Sequence, residues 1–121
     1  MVTLCVFDAY GTLFDVDSAA RQVASEPGGT ALVAHWPGLS ADWRRKQLEY
    51  TWLRSLAGAH VDFWQVTQDA LDWALDAAGL QDAGLRARLL DLYRRLAPFA
   101  DVPDVLRNLQ GQGMRLAILS N

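Results

Sequence analysis

The chain has 121 residues, 51% of them hydrophobic and 21% charged, a balance that suits a soluble globular domain with a real core. A net charge of −3, with basic residues interleaved among acids, excludes the electrostatic footprint of a nucleic-acid binder. The one cysteine, Cys5, cannot form an internal disulfide, and it is expected to be a small buried hydrophobe in a reducing, cytoplasmic setting.

Val2 to Phe7 is a continuous apolar, β-branched run, the pattern of a buried strand. It is far too short to span a membrane, and no secretory signal pattern opens the chain. The strand stops at Asp8, and Gly11-Thr12 signals a turn. Asp17-Ser18 is expected to cap a helix to about Ser25, broken by Pro27-Gly28-Gly29. A short helix over Ala31 to His35 is expected to stop at Pro37-Gly38. Ser40-Ala41-Asp42 should start a long helix through about Leu56, closed by Gly58. Asp62 should cap the next, to about Ala78, with Phe63, Val66, Ala70, Trp73, Ala74 and Ala77 recurring at helical spacing. Leu85 to Leu96 is amphipathic and ends before Pro98. Asp101-Val102-Pro103 restarts a helix to about Leu109, with proline early in the first turn. Arg115 to Leu119 is a second apolar strand, and it leads into Ser120-Asn121. Most of the five tryptophans are expected to be packing residues.

Two lone strands do not make a viable sheet. The chain is therefore expected to be a fragment of an α/β protein, truncated or given only in part, with residues 16–97 inserted as a helical unit between 1–15 and 98–121. The ends of parallel strands are where ligands bind in such sheets. Asp8 stands at one of them.

The chemistry-bearing run is Phe7-Asp8-Ala9-Tyr10-Gly11-Thr12-Leu13-Phe14-Asp15. A strand delivers a carboxylate, and the turn after it is expected to present the backbone N–H groups of Ala9, Tyr10 and Gly11 toward the same place. A carboxylate nucleophile beside anion-binding N–H groups suits displacement on an acidic substrate. The plainer alternative is that Asp8 only ends a strand and caps a turn. A second run, Trp43-Arg44-Arg45-Lys46-Gln47-Leu48-Glu49-Tyr50-Thr51-Trp52-Leu53-Arg54, puts Arg44, Leu48, Thr51, Trp52 and Ser55 near one helix face. A guanidinium on that mixed face can hold an anion. The alternative, preferred for Arg45, Lys46 and Arg54, is a solvated basic face. His35 and His60 have no partner at metal spacing, and Asp15 is read as a turn or cap residue.

Phe-Asp-x-x-Gly-Thr-Leu after a first strand resembles the opening motif of the haloacid dehalogenase superfamily, and Ile118-Leu119-Ser120-Asn121 resembles its second motif. The Asp-Ala-Tyr-Gly-Thr-Leu-Phe-Asp-Val run and the Trp-Arg-x-Lys-Gln-Leu-Glu-Tyr-x-Trp-Leu-Arg helix are similar to the L-2-haloacid dehalogenases in particular. The resemblance implies a Rossmann-like parallel-sheet core with an inserted helical cap domain. It implies that Asp8 attacks C2 of a short 2-haloacid and that Arg44 accepts the departing halide. Thr12 and Ser120 would hydrogen-bond in the site. Ala9, Tyr10, Leu48, Phe63, Ser120 and Asn121 would line the substrate. The family is commonly dimeric, which implies a homodimer.

Tyr10 stands where the phosphatases of the superfamily carry a second aspartate as general acid and base. A phenol, with a reference pKa of about 10, does not replace it near neutral pH, whereas a halide leaves without a proton. A metal-free, cofactor-free dehalogenation is therefore expected over phosphoryl transfer, which remains the alternative. The family's downstream lysine and its later Ser/Asn/Asp segment have no counterpart in the 121 residues, so these residues by themselves are expected to be inactive. Arg45 departs from the neutral residue common at its position.

Overall fold

The computed structural model of the chain describes residues 1–120; Asn121, expected to line the substrate, lies outside the described residues. The elements run β1 (Leu4–Phe7), α1 (Ser18–Ser25), a 3-10 turn (Pro27–Leu32), α2 (Trp36–Leu56), α3 (Phe63–Ala77), α4 (Ala83–Tyr93), α5 (Val102–Gly111) and β2 (Arg115–Ile118). This is an α/β chain that divides into two compact units, one of residues 1–16 with 96–121 and one of residues 17–95. No helix is long and apolar enough to cross a membrane among the described residues.

In the first unit β1 and β2 pair in parallel, with Leu4 opposite Arg115 and Phe7 opposite Ile118. The ladder continues past both ends, where Arg115 N–H donates to the Thr3 carbonyl at 2.9 Å and Leu119 N–H to the Phe7 carbonyl at 2.8 Å. Parallel strands need a long crossover, and residues 8–114 supply it. α5 packs on β2. The apolar runs form strands as expected, but they are not buried: Val6 is 55% and Ile118 58% exposed. Among the described residues the sheet has two strands, so each strand keeps one unpaired edge and little packs over its faces.

The second unit is helical. α2 packs against α3, and α1 packs against α2 and α4. Its core includes Val23, Leu32, Leu39, Trp43, Val66, Ala70, Leu71, Leu89 and Tyr93. Burying each large apolar side chain contributes about 1.5–3 kcal/mol. Asp62 caps α3 by accepting from Gln65 N–H, and Asp82 caps α4 by accepting from Gly84 and Leu85 N–H.

Several local expectations change. No separate helix spans 31–35; a 3-10 turn ends at Leu32, and Pro37 lies in the first turn of α2 instead of stopping a helix. Proline is tolerated there because that N–H has no helical partner anyway. Ser40 is therefore the fifth residue of α2, buried, and donates its hydroxyl to the Asp17 carboxylate. Neither residue caps its helix as expected. α4 starts at Ala83 and ends at Tyr93, three residues before the expected Leu96. Gly29 is required by a close approach: a Cβ there would lie 1.6 Å from the Val23 carbonyl oxygen. On α3 the inward face is Val66, Thr67, Ala70, Leu71, Ala74 and Leu75, and Trp73 and Ala77 face outward. Of the tryptophans only Trp43 is buried. Trp36, Trp64 and Trp73 instead lie under the cations of Arg21, Arg94 and Lys46, the last two at 4.2 and 4.3 Å from the ring centres.

Candidate functional site

Asp8 immediately follows β1 and is exposed. The turn after it is built on one carbonyl. Ala9 C=O accepts from the N–H groups of Thr12, Leu13 and Phe14 at 3.3, 2.9 and 3.0 Å. Gly11 adopts φ +87°, a left-handed conformation that glycine enters without steric cost. The Thr12 hydroxyl is thereby returned toward the strand end, and it donates to Asp8 Oδ2 at 3.3 Å. Gly11 N–H corrects an expectation. It donates to the Phe14 carbonyl at 2.9 Å, so it closes the turn and is not presented to an anion. Ala9 is buried and Tyr10 half-buried.

A second segment holds this turn. Phe99 N–H donates to the Leu13 carbonyl at 3.1 Å, and Asp15 N–H donates to the Ala97 carbonyl at 2.9 Å. Asp15 thus sits in a clamp between the turn and residues 97–99. A cavity of about 400 Å³ opens beside the turn, lined by Phe7, Thr12, Leu13, Phe99, Val102 and Val105 among others. Ser120, expected to hydrogen-bond in the site, follows β2 and is exposed. Because β1 and β2 are adjacent and parallel, Asp8 and Ser120 leave the sheet at the same end, where ligands bind in parallel sheets.

In the helical unit, Arg44 and Leu48 lie one turn apart on α2, both half-buried. Arg44 Nη1 lies 3.5 Å from Gln47 Oε1. Arg45 points elsewhere. It pairs with Asp42 and Glu49 at 2.9 Å each and is 48% exposed. Lys46 shares Glu49. Hydrogen bonding from Lys46, then from Arg45, holds the Glu49 carboxyl below its ordinary range. Arg54 pairs with Asp69. The basic run is thus largely a set of surface ion pairs, and Arg44 is the member that turns toward a buried group. Phe63, the first residue of α3, is half-buried, with its carbonyl accepting from the Thr67 hydroxyl at 2.7 Å.

That buried group is a polar cluster the residue pattern did not announce. Gln47 is 1% exposed and Thr67 fully buried. Gln47 Nε2 donates to Thr67 Oγ1 at 2.9 Å and to Tyr93 Oη at 3.0 Å. Trp43 Nε1 donates to the Thr67 carbonyl at 2.9 Å, and its ring lies 4.8 Å from that of Tyr93. The available signal was spacing, since 43/47 and 63/67 are both i, i+4 pairs. Nothing in the residue types says that the polar members face inward. Among the described residues no group of three His, Cys, Asp or Glu side chains stands ready for a metal.

The chain is 46% identical over 121 residues to (S)-2-haloacid dehalogenase 1 of Pseudomonas sp. (strain CBS-3), covering 99% of this chain and 51% of that protein. It is 51% identical to the (S)-2-haloacid dehalogenase of Pseudomonas sp. (strain YL), covering 95% of this chain and 48% of the relative. The solved L-2-haloacid dehalogenase of Xanthobacter autotrophicus superposes with a TM-score of 0.78 at 42% identity, over 99% of this chain and 46% of that one. The chain spans about half the length of the curated relatives it matches. The haloacid dehalogenase-like hydrolase model matches residues 2–121, and the chain belongs to that hydrolase family.

Proposed function

We propose that the protein carrying this chain is an (S)-2-haloacid dehalogenase that hydrolyses short L-2-haloalkanoic acids to D-2-hydroxy acids. The observation that carries this reading is the nucleophile turn. Asp8 stands exposed at the end of a parallel strand, with the Thr12 hydroxyl donating to it at 3.3 Å, and Tyr10 occupies the position where a phosphatase needs an acid.

The Asp8 carboxylate attacks C2 in line, opposite the halogen. The C–O bond forms as the carbon–halogen bond breaks, and halide departs with the bonding pair toward the Arg44 guanidinium, inverting C2. Water, activated by a general base, then cleaves the ester at Asp8 and restores the carboxylate. No step requires a metal or cofactor. Thr12 orients Asp8, Ser120 and Asn121 hold the substrate carboxylate, and Ala9, Tyr10, Leu48 and Phe63 line its alkyl group. In this reading residues 16–97 are the cap domain and residues 1–15 with 98–121 are parts of a Rossmann-like core domain, and the enzyme is a cytoplasmic homodimer. A relative from Xanthobacter autotrophicus has been solved with chloropropionic acid covalently bound, which supports a covalent step.

The test is chloride release from L-2-chloropropionate by the protein carrying this chain. Wild type should release chloride and yield D-lactate. Asp8→Asn should fold normally and release none, because an amide is a poor nucleophile of the same shape. Turnover by Asp8→Asn near the wild-type rate would remove Asp8 from the role. Hydrolysis of p-nitrophenyl phosphate without chloride release would favour a phosphatase.

A further inference from the structure

We infer that Gln47 is a positioning residue for Arg44: its side-chain amide presents an oxygen to the guanidinium and holds it in one orientation. The inference rests on reading Arg44 as the group that receives the departing halide. The simpler account is that Gln47 only ties three helices together, since its partners lie on α3 and α4. Two observations go further than that.

The first is the direction of the amide. Thr67 Oγ1 lies 2.7 Å from the Phe63 carbonyl oxygen, which can only accept, so the single hydroxyl proton of Thr67 is committed there. Toward Gln47, Thr67 can therefore only accept, and the amide must offer it Nε2, at 2.9 Å. That choice turns Oε1 away from Thr67, where it lies 3.1 Å from Tyr93 Oη and 3.5 Å from Arg44 Nη1. The orientation of an amide is normally ambiguous; here the Thr67 proton decides it. A chain of donors thus runs from Arg44 through Gln47 and Thr67 to the Phe63 carbonyl. It links two residues assigned to the substrate.

The second observation is depth. Gln47 is 1% exposed, and no buried side-chain nitrogen or oxygen lacks a partner among the described residues. An apolar side chain at this place would avoid the cost of desolvating an amide. The amide adds a neutral acceptor beside a cation. A carboxylate would neutralise the guanidinium, and a methyl group would remove this acceptor from beside it. At 3.5 Å the contact is a loose guide, consistent with a group that must keep its charge for a ligand.

The test uses the protein carrying this chain and three variants. Gln47→Met keeps the volume and removes the acceptor. It should lower kcat for chloride release about tenfold, with KM within about twofold, because positioning acts on the departing halide. Gln47→Glu places a titratable acid at the same atom. Its rate should fall about 100-fold at neutral pH and recover as pH drops through the new carboxyl's titration, since the neutral acid restores an uncharged neighbour. Thr67→Val releases the amide to turn and should move kcat in the same direction as Gln47→Met. The side-chain order of Arg44, from 15N relaxation of its Nε–H group, should fall in Gln47→Met while that of Arg45 stays unchanged. A structural staple alone would lower stability and leave kcat, the pH profile and Arg44 order as in wild type, and that result overturns the inference. A wild-type protein that releases no chloride refutes the dehalogenase reading instead, and the Arg44 relaxation comparison still decides the role of Gln47.

Discussion

Replacing Thr67 by valine isolates the energetics of the buried cluster. The side chain is fully buried, and the change swaps a hydroxyl for a methyl of nearly the same volume. The Phe63 carbonyl loses the hydroxyl donor at 2.7 Å but keeps its helical position. The loss falls on Gln47 Nε2, which keeps Tyr93 as an acceptor and loses Thr67. One buried amide proton is then unpaired, at a cost of about 1–3 kcal/mol. With a denaturant slope of about 2 kcal/mol per molar urea, a cost near 2 kcal/mol lowers the unfolding midpoint by about 1 M. Equilibrium urea unfolding followed by tryptophan fluorescence measures this directly, because Trp43 packs on Tyr93 in the same cluster. In the double variant with Gln47→Met the unpaired proton no longer exists. The two substitutions should therefore be less than additive, with a coupling of about 1 kcal/mol or more. Strict additivity, or a midpoint unchanged by Thr67→Val, would refute the assignment of the amide proton to Thr67.

Arg44→Lys should cut chloride release by at least about tenfold, since lysine lacks the planar fork. Arg45→Lys should leave turnover within about twofold, because Arg45 is engaged with Asp42 and Glu49 on the surface; equal small effects would return the whole run to a solvated face. Glu26 accepts from Arg88 across 62 residues, and that bond holds its carboxyl below the ordinary value of 4.5. Its stabilising contribution is present above that value and is lost as pH falls through the lowered one. Thermal unfolding between about pH 6 and about pH 3 should therefore show a steeper loss in wild type than in Glu26→Gln, and parallel curves would refute the linkage. Residues 1–121 expressed alone should bind a hydrophobic dye, because Leu4, Val6, Ile118 and Leu119 are all exposed; absence of dye binding would mean that these faces are covered in solution.

The elements whose outlines were legible in the sequence are those fixed by local chemistry. An apolar run ended by Asp8, the Asp62 cap and Gly58 after α2 (φ +68°) each act within a few residues. Parallel pairing also followed, because an α/β pattern with long crossovers leaves little else. The nucleophile turn was readable as a motif, and Thr12 stands against Asp8. The destination of each N–H was not, and Gly11 closes the turn on Phe14. Pro37 satisfies the rules for both a helix stop and a helix start. Only the packing of α2 decided that it begins a helix and that Ser40 lies within it. Ser40, Gln47 and Thr67 are polar by type, so periodicity places them outward. They lie inward because Asp17, Tyr93 and Gln47 bring them partners from elsewhere in the chain. Burial of a polar group depends on a partner that sequence spacing does not encode. Local propensity and motif chemistry therefore determine where Asp8 and Arg44 stand along the chain, and tertiary contacts alone decide which polar atoms face Arg44 and in which direction the Gln47 amide points.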